Sequence, residues 1–151
     1  MDFMKQAFIC AENAVKHDDV PIGAIIVYDS KIISRGENQV QLKQNPTLHA
    51  EIVAINRACK KLGTKFLDDC EIYVTLEPCA MCAVAISYAR IKKIYFAATD
   101  EKGGAILHNS KIFETDKHLW KPKIIEISEH AEKSAKLLRD FFKSKRKNNS
   151  N

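Results

Sequence analysis

The sequence predicts a layered α/β domain in which a mixed β-sheet lies between helices. Three observations support this prediction. The chain has 151 residues, which is the length of one domain. Its composition, 46% hydrophobic and 28% charged, is that of a globular protein and excludes a disordered, collagen-like or small disulfide-stapled chain. Segments with helical spacing of apolar residues also alternate with short segments rich in β-branched residues.

The first part of the chain predicts a helix, a β-hairpin and a second helix. Apolar residues recur every three or four positions over residues 3–17, as on one face of a helix. The segments 22–28 and 31–36 flank a tight-turn pair and therefore predict two antiparallel strands. The second helix is expected over about residues 49–62, with Thr47 as its candidate N-cap.

The second part predicts three more strands and two more helices. The strands are expected at residues 71–76, 93–98 and 124–127, and the helices from near Cys79 and over residues 131–146. The helix that begins near Cys79 is apolar on nearly all sides, so it requires cover on more than one side.

The positive charge of the chain is concentrated in a basic arm, residues 133–147. This arm contains seven basic side chains and one acidic one, hence a net charge of +6, whereas the whole chain carries +5. The remainder is therefore slightly acidic, at −1. Such an arm fits a polyanionic partner. We expect one domain over residues 1–147, closed by a basic helix at 131–147, and a disordered tail over residues 148–151.

The sequence has no feature of a membrane or exported protein. No apolar segment approaches the ~18–20 residues of a membrane span, and the N-terminus lacks the regions of a secretory signal. The five cysteines are an odd number, and two of them, Cys79 and Cys82, are close together. This pattern indicates reduced thiols or a metal site. We therefore expect a cytoplasmic protein.

Two short motifs contain the candidate chemistry. They are His49-Ala50-Glu51 and Pro78-Cys79-Ala80-Met81-Cys82. One imidazole and two thiolates form a three-ligand set suited to tetrahedral zinc. All three ligands lie at predicted helix N-termini, where free N–H groups and the helix dipole stabilise a thiolate. Two such termini that face each other can hold one cation.

Glu51 separates a catalytic site from a structural one. A structural zinc site closes with a fourth Cys or His, whereas a catalytic site leaves that position to water and lowers its pKa. A carboxylate near the ligand can take the proton from that water and deliver it to a substrate. Residues i and i+2 point about 200° apart within a helix, so His49 and Glu51 converge only at the first turn, where the sequence places them.

Other interpretations of the cysteines remain open. A C-x-x-C pair at a helix start is also typical of structural or redox sites, and Cys59 or Cys70 could close the zinc site as a fourth ligand. We expect Cys10, Cys59 and Cys70 to be small buried hydrophobic residues instead. The remaining histidines lie among charged or loop residues and are expected at the surface or at helix caps: His17, His108, His118 and His130.

The two motifs resemble the zinc site of the cytidine/deoxycytidylate deaminase superfamily. More narrowly, the chain resembles the bacterial tRNA adenosine deaminases (TadA type) from about Phe3 to Arg146. The supporting stretches are DVPIGA at residues 19–24, NPTLHAE at 45–51, YVTLEPCAMCA at 73–83, DEKGGA at 100–105 and LLRDFF at 137–142. The segment 105–110 departs from the pattern of that family.

The resemblance implies a fold, a reaction and an assembly. The fold is a cytidine deaminase-like, three-layer α/β/α sandwich with a mixed sheet of about five strands. The reaction is the hydrolytic deamination of adenosine to inosine at the wobble position of a tRNA anticodon. The assembly is a homodimer, formed through the helix after Cys82.

The resemblance also implies roles for particular residues. Zinc is bound by His49, Cys79 and Cys82, one ion per subunit, and Glu51 shuttles protons. Asn38 contacts the base and Asp100 lies near the ribose, and the other implied substrate contacts are Pro46, Ala50 and Leu76. In addition, the basic arm is expected to contact the RNA backbone at Lys136, Arg139, Phe142, Lys143 and Arg146.

Three functions stay open at the level of sequence. The first is the tRNA adenosine deaminase, and the second is a deaminase of free guanine, cytosine or nucleosides with the same zinc site. The third is a zinc-stabilised RNA-binding module without catalysis. The basic arm favours the tRNA deaminase over the deaminase of free bases, because binding a small uncharged base does not require an arm with a net charge of +6. Glu51 and the missing fourth ligand disfavour the third.

Overall fold

Five strands form one mixed sheet in the computed structural model, which describes residues 1–149. They are β1 (Gly23–Tyr28), β2 (Lys31–Glu37), β3 (Glu71–Leu76), β4 (Lys93–Ala98) and β5 (Lys123–Glu126), in the spatial order β2-β1-β3-β4-β5. Strand β1 is antiparallel to β2 and β3, whereas β3, β4 and β5 are parallel. The carboxyl ends of β2, β3 and β4 therefore share one end of the sheet, here called the Leu76 end. The β1–β2 turn lies at the opposite end, here called the Lys31 end.

Helices cover both faces of this sheet. They are α1 (Phe3–Val15), α2 (Val40–Lys43), α3 (Ala50–Leu62), α4 (Ala80–Tyr88), α5 (Ile112–Thr115) and α6 (Ala131–Asn149). Side chains alternate between the two faces along each strand. Ile26 and Ile72 belong to a core with α3 and α4, whereas Ile25 and Tyr73 belong to a core with α1 and α6. The expected three-layer sandwich with a mixed five-stranded sheet is confirmed.

The start of α3 lies directly against β2. Gly36 has no side chain at this contact, and a Cβ atom there would lie 2.5 Å from the carbonyl oxygen of Ala50 and 2.7 Å from the nitrogen of Ala54. Ser34, on the same strand, donates a hydrogen bond of 2.7 Å to the carbonyl oxygen of Ala54. The helix that begins next to His49 therefore has a fixed position on the sheet.

Helix α4, which follows Cys79, is only partly covered within the single chain. Its residues Cys82 and Ile86 are buried, whereas Tyr88 is 72% exposed and Met81 is 36% exposed. The exposed apolar side chains of α4 agree with the prediction that this helix packs against other surfaces on more than one side. Among residues 1–149, neither α4 nor any other helix is long and apolar enough to cross a membrane.

Two helix boundaries differ from the sequence prediction. Helix α1 ends at Val15, two residues before the predicted end at residue 17. Asp18 then adopts a left-handed backbone conformation, which is incompatible with a right-handed helix. The prediction of Thr47 as the N-cap of α3 is wrong, because the N-cap residue is His49. The Thr47 hydroxyl instead donates to the side chain of Asn45, in the preceding turn.

Helix α6 is longer than predicted. It continues to Asn149, so residues 148 and 149 are helical where a disordered tail was expected. Each residue added to an existing helix gains a backbone hydrogen bond, which explains the extension. Residues 150 and 151 of that tail lie outside the described residues. The sequence did not predict α2 and α5, because single turns are too short to show a periodic pattern.

Candidate metal centre and flanking loops

The three candidate metal ligands lie at the starts of two helices. His49 is the N-cap residue of α3, Cys79 is the N-cap residue of α4, and Cys82 lies in the first turn of α4. An N-cap side chain usually accepts a hydrogen bond from the helix backbone. Neither His49 nor Cys79 does so, and the two side chains face each other instead.

The geometry of this cluster fits a zinc ion. Nδ1 of His49 lies 3.6 Å from Sγ of Cys79 and 3.6 Å from Sγ of Cys82. All three atoms lie within 4.8 Å of one another. Tetrahedral zinc with ordinary Zn–N and Zn–S bonds places a nitrogen and a sulfur ligand about 3.6 Å apart. Within residues 1–149, no second cluster of this kind occurs.

The fold excludes a closed site that uses Cys59 or Cys70 as a fourth ligand. Cys59 lies in α3 nine residues after its start, which places it about 14 Å along the helix. Cys70 immediately precedes β3, whose six residues separate it by about 20 Å from the Leu76 end. Cys70 is buried, as predicted, and burial raises the pKa of its thiol to about 11.

The three ligands alter one another's protonation. Hydrogen bonds from Cys82 and His49 lower the pKa of the Cys79 thiol to about 4. The hydrogen bond to Cys79, together with burial, raises the pKa of Cys82, and the hydrogen bond to Cys79 also raises the pKa of His49. The negative charge is therefore held on the Cys79 sulfur, in the form that binds metals.

Glu51 lies beside the cluster, with its side chain buried. It is the second residue of α3 and is only 4% exposed. The backbone of His49 is extended (φ −67°, ψ 159°), which allows two side chains two positions apart to turn to the same side. Burial raises the pKa of the Glu51 carboxyl to about 7.

Asn38 begins the loop between β2 and α3, residues 38–48, here called the Asn38 loop. Its side chain is buried, and its Oδ1 accepts a hydrogen bond of 3.1 Å from the backbone N–H of Val40. The Nδ2 group of Asn38 donates to no residue in the described part of the chain. The backbone N–H of Gln39 donates to the carbonyl oxygen of Leu48, which brings the two ends of the loop together.

Asp100 lies in the loop after β4, residues 99–111, here called the Asp100 loop. Its Oδ1 accepts backbone hydrogen bonds of 3.1 Å from both Lys102 and Gly103. Asn109 closes the same loop by donating from Nδ2 to three loop carbonyl oxygens. The second carboxylate oxygen of Asp100 has no hydrogen-bond partner among residues 1–149.

A cleft of about 650 Å³ opens beside the Asp100 loop at the Leu76 end of the sheet. Its lining includes Leu76, Asp100, Leu138 and Phe142. The cleft therefore connects two expected substrate residues to helix α6. Of the other expected substrate residues, Ala50 is buried in the first turn of α3 and Pro46 is exposed on the Asn38 loop.

The basic arm is partly neutralised by acidic side chains. Ion pairs join Lys136 to Asp140, Arg139 to Glu132 and Lys145 to Asp18. Phe142 is 45% exposed and lines a groove together with Arg139, Lys143 and Arg146. Because this groove shares Leu138 and Phe142 with the cleft beside Asp100, the expected RNA-binding residues other than Lys136 adjoin the cleft.

Two buried carboxylates that the sequence analysis missed hold the flanking loops. They are Asp19 and Glu77, and each accepts a hydrogen bond of 2.8 Å from a histidine Nδ1, His17 and His108 respectively. Both histidines were expected at the surface or at helix caps, but the structure has them half-buried. The only available sequence signal was that each acid lies within two residues of a proline at a strand boundary.

Comparison with known proteins identifies deaminases as relatives. Residues 1–146 match the family model described as MafB19-like deaminase. The tRNA-specific adenosine deaminase of Agrobacterium fabrum is 42% identical over 144 residues, which cover 95% of this chain and 94% of that protein. The tRNA-specific adenosine deaminase of Rickettsia bellii is 44% identical over 142 residues, which cover 93% and 97%.

Solved structures give the same result. A structure from a study of A-to-I editing by tRNA:A34 deaminases at the wobble position of transfer RNA superposes with a TM-score of 0.87 at 40% identity. The matched region covers 90% of this chain and 98% of the chain in that structure. The structure of a guanine deaminase of Bacillus subtilis is 46% identical, with a TM-score of 0.63. The matched region covers only 64% of this chain and 62% of that chain.

Proposed function

The chain belongs to the deaminase family that includes the tRNA-specific adenosine deaminases, and we propose that it converts adenosine to inosine at the wobble position of a tRNA anticodon by zinc-dependent hydrolysis. One observation carries this proposal. A cluster of one imidazole and two thiols has a buried carboxyl group beside it and no fourth protein ligand among the described residues. This is the ligand count of a catalytic zinc site.

His49, Cys79 and Cys82 would hold the zinc ion, which as a Lewis acid lowers the pKa of water toward neutrality. Glu51 accepts a proton from the attacking water and donates it to a ring nitrogen of adenine, and it then assists the departure of ammonia. Its position at the second residue of α3, two positions after His49, supports this role. Its burial keeps bulk water away from the carboxyl.

Asn38 and Asp100 contact the nucleotide in this proposal. The Nδ2 group of Asn38 is a donor suited to an acceptor nitrogen of the purine ring. The second carboxylate oxygen of Asp100 is an acceptor suited to a ribose hydroxyl. Pro46, Ala50 and Leu76 enclose the base between these two polar contacts.

The basic arm binds the RNA around the target nucleotide. Phe142 lies where the cleft beside Asp100 meets the groove along α6, so an unstacked neighbouring base can rest on its ring. Arg139, Lys143 and Arg146 continue along that groove and attract phosphates, and Lys136 adds charge to the same helix. This arrangement supports an RNA substrate over a free base.

The protein acts as a homodimer in the cytoplasm in this proposal. The exposed side of α4, with Tyr88 and Met81, offers an apolar surface for a second copy of the chain. This surface is continuous with the helix that holds Cys82, so assembly would also restrict the movement of the metal centre.

The test compares polymeric and free substrates. The protein is incubated with bulk cellular tRNA and, separately, with free guanine, cytosine and adenosine, and inosine and ammonia are measured. We expect inosine in tRNA and no ammonia from the free compounds, and we expect a strongly reduced yield of inosine from Glu51→Gln. Ammonia from free guanine without inosine in tRNA would contradict the proposal. It would support a guanine deaminase, which the 46% identity to the Bacillus subtilis enzyme makes the second candidate.

A further inference from the structure

We propose that two buried carboxylate–histidine pairs position the Asp100 loop and the Asn38 loop and thereby determine how tightly the site binds its nucleotide. The pairs are Glu77 with His108 and Asp19 with His17. The inference rests on the proposed function, because it takes the substrate contacts to lie on these two loops. The four side chains act through the loops, and they are positioning residues.

Glu77 ties the start of the Asp100 loop to the middle of the same loop. Its side chain is fully buried and accepts four hydrogen bonds. Three come from the backbone N–H groups of Asp100, Ile106 and Leu107, at 3.1, 3.1 and 3.0 Å, and the fourth comes from Nδ1 of His108 at 2.8 Å. Each carboxylate oxygen accepts from two donors, so the start and the middle of the loop depend on one side chain.

The Asp100 loop is packed closely around this carboxylate. A Cβ atom at Gly104 would lie 2.3 Å from Oε2 of Glu77 and 2.5 Å from the carbonyl oxygen of Asp100. The backbone N–H of Gly104 also donates to that same carbonyl oxygen at 2.9 Å. The loop therefore has no room to shift toward Glu77, and its hydrogen bonds prevent it from moving away.

Asp19 holds the Asn38 loop in a similar way. It is 1% exposed and accepts backbone hydrogen bonds from Gln41 at 2.6 Å and Leu42 at 3.0 Å, and a third hydrogen bond from Nδ1 of His17. Gln41 and Leu42 follow Asn38 by only three and four positions. The backbone that sets the direction of the Asn38 side chain is therefore attached to a residue of the α1–β1 connection.

The chemistry of the two acids explains why neutral residues would not serve. A carboxylate offers two acceptor oxygens, whereas an amide offers one and would turn its own NH2 group toward N–H donors. An ionised carboxylate is unfavourable inside a protein unless hydrogen bonds compensate its lost hydration. Three or four donors do so here, and all the backbone donors belong to the flanking loops.

The sheet places the two loops on opposite sides of the substrate. The Asn38 loop follows β2 and the Asp100 loop follows β4, and strands β1 and β3 lie between them. Three strand spacings separate the two loops by about 14 Å at the Leu76 end. The distance between the two polar substrate contacts therefore depends on both pairs, so loosening either loop weakens substrate binding more than it slows the reacting step.

The experiment uses substitutions of the histidines, which leave the buried carboxylates in place. His108→Ala removes one donor to Glu77, whereas His108→Asn retains an amide donor near the position of Nδ1. His17→Ala makes the corresponding change in the other pair, and His118→Ala, at an exposed histidine outside both loops, is the control. The measurements are KM and kcat on an anticodon stem-loop RNA, bound metal, and amide hydrogen exchange at each loop.

We expect His108→Ala to raise KM about tenfold, the loss typical of one hydrogen bond to a charged group, with kcat and bound metal nearly unchanged. His108→Asn should recover most of this loss. Exchange should accelerate at Ile106 and Leu107 in His108→Ala, and at Gln41 and Leu42 in His17→Ala. His118→Ala should resemble the unaltered protein in every measurement.

Two results of the exchange measurement would overturn the inference. One is unchanged exchange in the two loops, and the other is faster exchange throughout the domain, which would make the pairs ordinary contributors to stability. Hydrogen exchange requires no turnover, so it tests the pairs even with no activity on RNA. If the unaltered protein is inactive on RNA but the variants show faster exchange in the two loops only, the proposed function is contradicted and this inference is not. If the unaltered protein is active but KM is unchanged in both alanine variants, this inference is contradicted and the proposed function is not.

Discussion

The candidate metal-binding cluster and the two loops beside it are fixed by different kinds of interaction. The candidate ligands His49 and Cys79 occupy N-cap positions of helices that pack on the sheet, so local backbone geometry places them. The Asn38 and Asp100 loops have little regular structure, and carboxylates far away in the sequence hold them. The proposed reacting centre is therefore part of the sandwich itself, whereas the loops with the proposed substrate contacts are attached to it by side chains.

This difference indicates how one metal centre can serve several substrates. If these loops contact the substrate, as we propose, a change in a loop or in its anchoring acid alters which nucleotide fits, while the cluster stays intact. The Asp100 loop contains the segment 105–110 that departs from the family pattern, and His108 lies within it. The guanine deaminase of Bacillus subtilis matches 64% of this chain at 46% identity, and the function of a protein depends on its particular site rather than on its fold.

The largest expected effects come from the cluster itself. Glu51→Gln should lower turnover of tRNA by about 10²- to 10⁴-fold and retain the metal, because an amide does not transfer the proton. Cys82→Ala should lose both turnover and metal, since two ligands bind zinc weakly. Metal analysis of the purified variants, together with an inosine assay, separates the two. Cys59→Ala is the control and should retain metal, and loss of metal from Glu51→Gln would show that Glu51 is a ligand.

The cluster could be predicted from sequence because its determinants are local. Each ligand lies within three residues of a helix start, and the strands on either side, β3 and β4, have the predicted bounds. The attachment of the two loops to Asp19 and Glu77 could not be predicted in this way. Asp19 and Gln41 are 22 positions apart and Glu77 and Asp100 are 23 apart, and no periodic pattern relates residues at such distances. The chemical roles of Glu51, Asn38 and Asp100 stay predictions until the variants are measured.

A smaller effect is expected from two glycine substitutions that add one methyl group in each region. Gly36→Ala places a Cβ atom against the backbone of α3 near His49, and Gly104→Ala places one against Glu77. Overpacking of this kind costs about 1–3 kcal/mol of stability. Gly36→Ala should lower both the melting temperature and the bound metal, whereas Gly104→Ala should raise KM severalfold with metal retained. Equal loss of metal in both variants would contradict the separation of the two regions.

The smallest effect is expected from the basic arm, which lies farther from the reacting atoms than either region. Replacing both Lys143 and Arg146 by Gln removes two cations from the groove that adjoins the cleft. The slope of log affinity against log salt should then fall by about 0.7 for each phosphate that the arm no longer neutralises, while turnover at saturating RNA stays unchanged. Lys31→Gln is the matched control, because Lys31 lies at the far end of the sheet and should not alter the slope. An unchanged slope in the double variant would mean that the charge of the arm does not follow the RNA backbone, and that substrate binding depends on the two loops alone.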